Sequence, residues 1–197
     1  MKAVIMSFSL RDGGNCEGIL SCVHEVLKGM ADVVSFERPR ITPCGGCGYR
    51  CFGEPGCPYD ADDAQRMYEA VCQSELAVYI VPNYCDYPNA CFFAFNERGQ
   101  SFFQEHDERY DAYLRCKKLF LAVSNTEKEN FERAFSYHVP PDEKPEILFL
   151  RAQQYGSRSI DGNLMEAPEA REAIARFVRK AVEFSRADTG SAPTNAT

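Results

Sequence analysis

The 197-residue sequence has no run of 18 apolar residues, which argues against a membrane-spanning helix. Its opening, MKAVIMSFSLRDGGNC, lacks the long apolar segment and small-residue cleavage site of a signal peptide, and a cytoplasmic protein is expected. Positive charge is in short supply: 22 Lys and Arg stand against 29 Asp and Glu, for a net charge of −7. A negative field of that size works against nucleic acid and anionic membranes as general partners. No Gly-Lys-Ser/Thr follows any glycine loop, and the six-residue glycine pattern of dinucleotide sites is missing. There are three histidines, His24, His106 and His138, none at motif spacing from a carboxylate or cysteine. Surface or capping roles are expected for them, and no Ser-His-Asp arrangement can be assembled. No internal repeat and no second domain is visible. The chain reads as a single domain over residues 1–186 and a polar, disordered tail over 187–197.

What is present is an alternation of short apolar runs and amphipathic stretches. Residues 2–6, 33–36, 76–81, 118–123 and 146–150 read as strands, with Pro82 expected to end the third. Helices are predicted over about 16–30, from Asp62 onward, over 89–103, 127–137 and 166–186, while 104–113 is ambiguous between loop and irregular helix. Near-continuous apolar strands alternating with helices imply an α/β protein with a parallel sheet covered on both faces.

Two segments carry chemistry. The first is the turn after the opening strand, Ser7-Phe8-Ser9-Leu10-Arg11-Asp12-Gly13-Gly14-Asn15-Cys16. A helix N-terminus presents unpaired N–H groups and partial positive charge. Ser7, Ser9 and Asn15 add side-chain donors, Arg11 a full charge, and Gly14 close backbone approach; together these suit a phosphate dianion. The same residues also suit an ordinary turn with an N-cap. The second is the loop over residues 38–63, with four prolines, five glycines and four cysteines and no periodicity. A loop of that length is functional or tied down by something. Cys44, Cys47, Cys51 and Cys57 are soft ligands for a [4Fe–4S] cluster or for tetrahedral zinc, and equally could be free thiols or a reversible disulfide. Cys16, Cys22, Cys72, Cys91 and Cys116 read as small hydrophobes.

The run Ser9-x-Arg11-x-x-Gly14-Asn15-Cys16 resembles the phosphate loop of the flavodoxin-like NAD(P)H-dependent FMN reductases, with Cys16 in place of the usual hydroxyl residue. Pro82-Asn83-Tyr84-Cys85 resembles that family's Pro-x-Tyr segment beside the flavin ring. Ser124-Asn125-Thr126 sits where the family has a third flavin-contacting loop, and Glu97-Arg98 resembles an acid–Arg pair closing the following helix. The four-cysteine stretch resembles that of the iron–sulfur flavoproteins in the same superfamily, with three residues rather than two between the second and third cysteines. The resemblance implies a doubly wound, five-stranded parallel sheet of order 2-1-3-4-5, with ligands bound where the first and third strands end. It implies FMN held by Ser7, Ser9, Arg11, Gly14, Asn15 and Cys16 at the phosphate, and by Pro82, Asn83, Tyr84, Cys85, Ser124 and Asn125 at the ring. Cys85 would sit beside the flavin. It also implies a cytoplasmic homodimer or homo-oligomer that passes hydride or electrons from NAD(P)H or a redox protein to a quinone, a flavin or a protein. The competing expectation is a zinc-stabilised or thiol-redox sensing module without catalysis. Tyr84 and Tyr87 would then merely cover the edge of the core.

Overall fold

The computed structural model describes residues 1–54, 56–125 and 129–189, the last stretch without side chains beyond residue 183. In chain order the elements are β1 (Lys2–Ser7), α1 (Asn15–Leu27), β2 (Asp32–Glu37), α2 (Asp63–Cys72), β3 (Leu76–Tyr84), β4 (Tyr87–Pro88), α3 (Ala90–Phe103), α4 (Asp107–Arg115), β5 (Lys117–Val123), α5 (Glu129–Ser136), β6 (Glu146–Leu150) and α6 (Pro168–Thr189). Five parallel strands lie in the order β2-β1-β3-β5-β6, and β4 pairs antiparallel with the end of β3. The expected order 2-1-3-4-5 differs through β4, a strand of two residues, too short to show any alternation in the sequence.

Strand periodicity divides the core into two chemically different halves. Ala3, Ile5, Val78, Ile80, Leu119 and Leu121 face α1 and α6 and build an aliphatic layer with Ile19, Val23, Ile174 and Val178. Val4, Met6, Tyr79 and Phe120 face the other way, into a layer dominated by aromatics: Tyr68, Phe92, Phe95, Phe102, Tyr113, Phe131 and Phe135. Its two tightest stacked ring pairs are Tyr68 on Phe95 at 4.1 Å and Phe120 on Phe135 at 4.2 Å.

Several expectations are corrected. Pro82 does not end β3, which runs on to Tyr84 with Pro82 opposite Val123. The Phe8 N–H takes the Ile80 carbonyl at 3.0 Å, so residue 82 faces the same side one step past the end of β1. A missing N–H costs nothing there. The polar stretch after α3 is a true helix, α4, with Asp107 and Glu108 in its first turn and Arg115 in its last, the charge order its dipole favours. Helix α6 continues through Thr189, so the polar tail starts later than expected, and residues 190–197 lie outside the described residues, as does Thr126.

His138 is neither a surface nor a capping group. It is buried in the aromatic layer, 2% exposed. The Tyr79 and Tyr113 hydroxyls share a hydrogen bond of 2.9 Å, and the Tyr113 hydroxyl lies 2.5 Å from His138 Nδ1. His138 Nε2 has no partner among the described residues. Burial, reinforced by the nearby Lys118 ammonium, holds the imidazole pKa down from 6.5 to about 3. The folded chain therefore keeps His138 neutral between about pH 3 and 6.5, where the unfolded chain protonates it. Stability is retained above the unfolded value and lost as pH falls below it, by about 1.4 kcal/mol per unit, or about 2 kcal/mol at pH 5. Denaturant titrations at pH 7.5 and pH 5 should show that loss. His138→Gln, which can still accept from Tyr113 but does not titrate, should show a flatter dependence.

Candidate functional site

Because β1, β3 and β5 are parallel neighbours, the segments that follow them meet at one end of the sheet. Phe8 leaves β1 fully buried; its N–H is bound to β3, and its carbonyl accepts from Asn89 Nδ2 at 2.7 Å. Asn89 is also the N-cap of α3, through its Oδ1 and the Phe92 N–H. One residue thus ties the turn after β1 to the turn after β3.

Within the first turn, Ser7 and Ser9 are buried and Arg11 is exposed. Ser9 Oγ accepts from the Arg11 N–H at 3.3 Å and also hydrogen-bonds the Cys16 thiol. Burial pushes that thiol up to about 12. Cys16 is therefore an uncharged core group, and its side chain is no substitute for the hydroxyl expected at that position. Gly14 caps α1 with no side-chain hydrogen bond, and its carbonyl accepts from the Glu17 N–H at 3.1 Å. One first-turn carboxylate competes locally: Glu17 Oε2 accepts from the Gly13 N–H at 2.9 Å.

Sequence reasoning missed what lies across this turn. The stretch after β6, residues 157–164, packs onto it. Asn15 Nδ2 donates to the Ser159 carbonyl (3.2 Å), and Asn15 Oδ1 accepts from the Leu164 N–H (3.0 Å). Arg11 donates to the Ile160 carbonyl, and Asn125 Nδ2 to Ser159 Oγ. Gly162 sits so close that a Cβ would fall 2.4 Å from the Gly13 carbonyl, and its φ of +76° is itself a glycine conformation. The recess left between Ser7, Ser9, Arg11, Glu37 and Arg38 measures about 10 Å³, room for about one water.

The second turn is a two-residue hairpin between β3 and β4. Cys85 and Asp86 both have positive φ, +52° and +67°. Such a turn favours Asn-Gly, and a non-glycine residue held there costs on the order of 1 kcal/mol. The hairpin is supported by Asn130 Nδ2, which donates to the Asp86 carbonyl at 3.0 Å, and by Asn83 Nδ2, which donates to Ser124 Oγ at 2.6 Å. It presents Tyr84 and Tyr87 side by side and more than half exposed, at 57% and 52%. They do not cover the core; they are flat faces turned outward.

The four-cysteine loop is tied down from outside. Arg98, expected on the surface or at a helix end, is 2% exposed. Its guanidinium donates to Asp62 Oδ2 (2.6 Å) and to the Thr42 carbonyl (3.2 Å), lies 3.5 Å from Asp60 Oδ1, and stacks over the Tyr59 ring at 5.6 Å. Asp62 Oδ2 accepts from the Thr42 N–H, Asp60 Oδ2 from the Cys57 N–H, and Glu97 Oε2 from the Cys44 N–H, at 2.8, 3.0 and 3.1 Å. At the loop's start Arg38 pairs with Asp12 of the first turn.

All ten cysteines are free, and Cys44, Cys47, Cys51 and Cys57 are half-buried. Partial burial raises the Cys51 thiol pKa, and Cys47, Cys57 and Cys44 each raise it further, so the other three thiols lie within electrostatic reach of Cys51. In type and number this donor set fits a thiolate-bound metal or cluster. Among the described residues, however, no group of three or more His, Cys, Asp or Glu side chains is placed to hold a metal ion. A cavity of about 720 Å³ opens at the opposite, amino-terminal end of the strands, beside Glu75, Cys116, Lys117 and Glu146, away from all of these groups. No helix among the described residues is long and apolar enough to cross a membrane.

The fold is flavodoxin-like: an α/β protein with a parallel sheet flanked by helices. RosB, solved with bound 8-demethyl-8-formylriboflavin-5'-phosphate, superposes with a TM-score of 0.61 at 12% identity, covering 97% of this chain and 81% of RosB. FerB, the flavoenzyme NAD(P)H:(acceptor) oxidoreductase of Paracoccus denitrificans, gives 0.56 at 11% identity, covering 95% and 98%. In sequence, 92 residues are 33% identical to the iron-sulfur flavoprotein of Methanosarcina thermophila, 45% of this chain and 47% of that one. The chain thus matches about half the length of that curated relative. No family model matches. The solved structures share the fold of this chain, and the sequence likeness to an iron-sulfur flavoprotein extends over about half of each chain.

Proposed function

We propose that this chain is an FMN-dependent oxidoreductase whose four-cysteine loop holds a metal centre, a [4Fe–4S] cluster by preference. The observation that carries the flavin reading is the meeting, at one end of the sheet, of a helix front served by Arg11 and Asn15 with two outward tyrosine faces on a strained hairpin. Both donors now point at carbonyl oxygens, those of Ser159 and Ile160. Those two oxygens stand in for the phosphate oxygens that the donors would serve, so FMN would enter as residues 157–163 give way.

In this reading Arg11, Asn15 and the first N–H groups of α1 neutralise and orient the phosphate. Tyr84 and Tyr87 offer the ring a flat surface, and Pro82, Asn83, Ser124 and Asn125 line its polar edge. Cys85, exposed at the hairpin tip, stands beside it. When bound, the flavin supplies the hydride and electron chemistry, with the protein providing binding, orientation and electrostatics. Cys44, Cys47, Cys51 and Cys57 would hold the metal centre. A reduced nicotinamide or redox protein as donor, a quinone, flavin or protein as acceptor, and a cytoplasmic homodimer complete the proposal. One observation favours a second reading, a reversible thiol switch on the same loop: the loop is fixed by Arg98 and Glu97 with no three ligands gathered among the described residues.

Titration with FMN and with riboflavin, followed by quenching of flavin fluorescence, tests the flavin site. FMN should bind about a hundredfold tighter than riboflavin, because the phosphate makes the charge-assisted contacts. Equal affinities, or no binding of either, would overturn the assignment.

A further inference from the structure

We propose that Arg98, with Glu97, is the positioning residue of the four-cysteine site: it closes the neck of the loop before any metal arrives, and the thiols, not yet gathered in threes among the described residues, have only the span between its anchors to cover. The metal part of this inference rests on the reading of the loop given above; the clamp does not. Arg98 gathers Thr42, two residues before Cys44, with Asp60 and Asp62, just beyond Cys57. One guanidinium therefore closes the neck of the loop, and all four cysteines lie between its anchor points. Glu97 fixes the first cysteine by its N–H, and Asp60 the last. Tyr59, lying under the guanidinium, packs on Gly46, where a Cβ would come within 2.8 Å of its hydroxyl. Every one of these anchors uses backbone groups or carboxylates, so the thiols remain available to a ligand.

Energetics point the same way. Ordering a glycine- and proline-rich loop costs conformational entropy, and a loop ordered in advance spares the incoming ligand that cost. A fully buried arginine is an expensive way to obtain stability alone. Here its Nε has no acceptor among the described residues, a further cost that a purely structural site would shed. Partners just outside the first ligands commonly govern a metal site's affinity.

The test compares wild type, Arg98→Met, Arg98→Lys and Glu97→Ala. Chelator-treated, metal-free protein is labelled with an alkylating reagent, and each cysteine is followed by mass spectrometry. In Arg98→Met the four loop cysteines should label about tenfold faster, while Cys85, exposed outside the loop, keeps its rate. Arg98→Lys should fall between, since an ammonium cannot span all three anchors. Zinc titration and anaerobic reconstitution with iron and sulfide should give about a hundredfold weaker metal binding in Arg98→Met, with FMN affinity unchanged. Loop labelling at the wild-type rate in Arg98→Met would overturn the clamp. Should Arg98→Met unfold, shown by labelling of buried Cys116, the surface variant Glu97→Ala decides: faster labelling of Cys44 supports the clamp and an unchanged rate overturns it. A wild-type chain that takes up neither zinc nor iron would overturn the metal reading instead, and the labelling rates would still judge the clamp.

Discussion

Replacing Cys47 with serine is expected to abolish metal uptake by the loop and to leave FMN binding and folding almost untouched. A [4Fe–4S] centre depends on every one of its thiolates, and a serine hydroxyl remains protonated at neutral pH and is a hard, poor ligand for it. Iron after anaerobic reconstitution should fall from about four atoms per chain to background, with loss of the brown charge-transfer absorbance. The fold should survive, because the bonds that hold the loop run through Thr42, the Cys44 and Cys57 N–H groups, Asp60, Asp62, Glu97 and Arg98, and none uses the Cys47 thiol. A shift in melting temperature of more than a few degrees, or joint loss of iron and FMN, would mean the loop folds around its metal. Full iron in the variant would remove Cys47 from the ligand set.

Helix α3 connects the two halves of this picture. Its N-cap, Asn89, holds the turns after β1 and β3 together, and its middle carries Glu97 and Arg98 against the cysteine loop. At about 1.5 Å per residue, the eight steps from Ala90 to Arg98 are about 12 Å of rigid rod. A centre held by the loop and a flavin held by the turns would therefore be spaced by one helix rather than by two independent loops.

How much of this was legible beforehand follows from what each signal depends on. Strand and helix alternation was readable, because a buried parallel sheet writes apolar runs such as LAVYIV and KLFLAV into the chain. The N-cap of α2 was readable too: Asp62 and Asp63 announce a helix front, and Asp62 accepts from the Ala64 N–H. The second role of Asp62 was not readable, since its arginine comes 36 residues later. His138 misled for the same reason. Its partners, Tyr79 and Tyr113, are far away in sequence, and a histidine next to a helix end looks like a cap. Pro82 misled because a strand stop and a strand edge beyond a neighbour's end present the same residue. The stretch Ser157-Arg158-Ser159-Ile160-Asp161-Gly162-Asn163 carries no periodicity at all. Only its hydrogen bonds to Arg11 and Asn15, 144 to 149 residues earlier, place it over the first turn.

That placement sharpens the second large effect, expected for Asn15→Asp. Asn15 is 4% exposed and both ends of its amide are used, Nδ2 toward the Ser159 carbonyl and Oδ1 from the Leu164 N–H. An aspartate keeps the second bond and turns the first into an oxygen facing an oxygen. It also sets a second carboxylate beside that of Glu17, at the helix front where the phosphate would lie. Two unit charges about 4 Å apart repel by about 4 kcal/mol at an effective dielectric near 20, while the helix dipole returns only about 0.3–1 kcal/mol. FMN affinity should fall at least about a hundredfold. Riboflavin affinity should change little, because the uncharged ligand feels no such repulsion. That contrast separates the two roles Asn15 could play. Equal losses for FMN and riboflavin would mean that Asn15 acts through the fold of the turn and not on the phosphate, with Asn15→Ala then expected to do the same. Loss confined to FMN locates the phosphate at the front of α1, and unchanged affinity for both ligands would move the flavin away from this turn altogether.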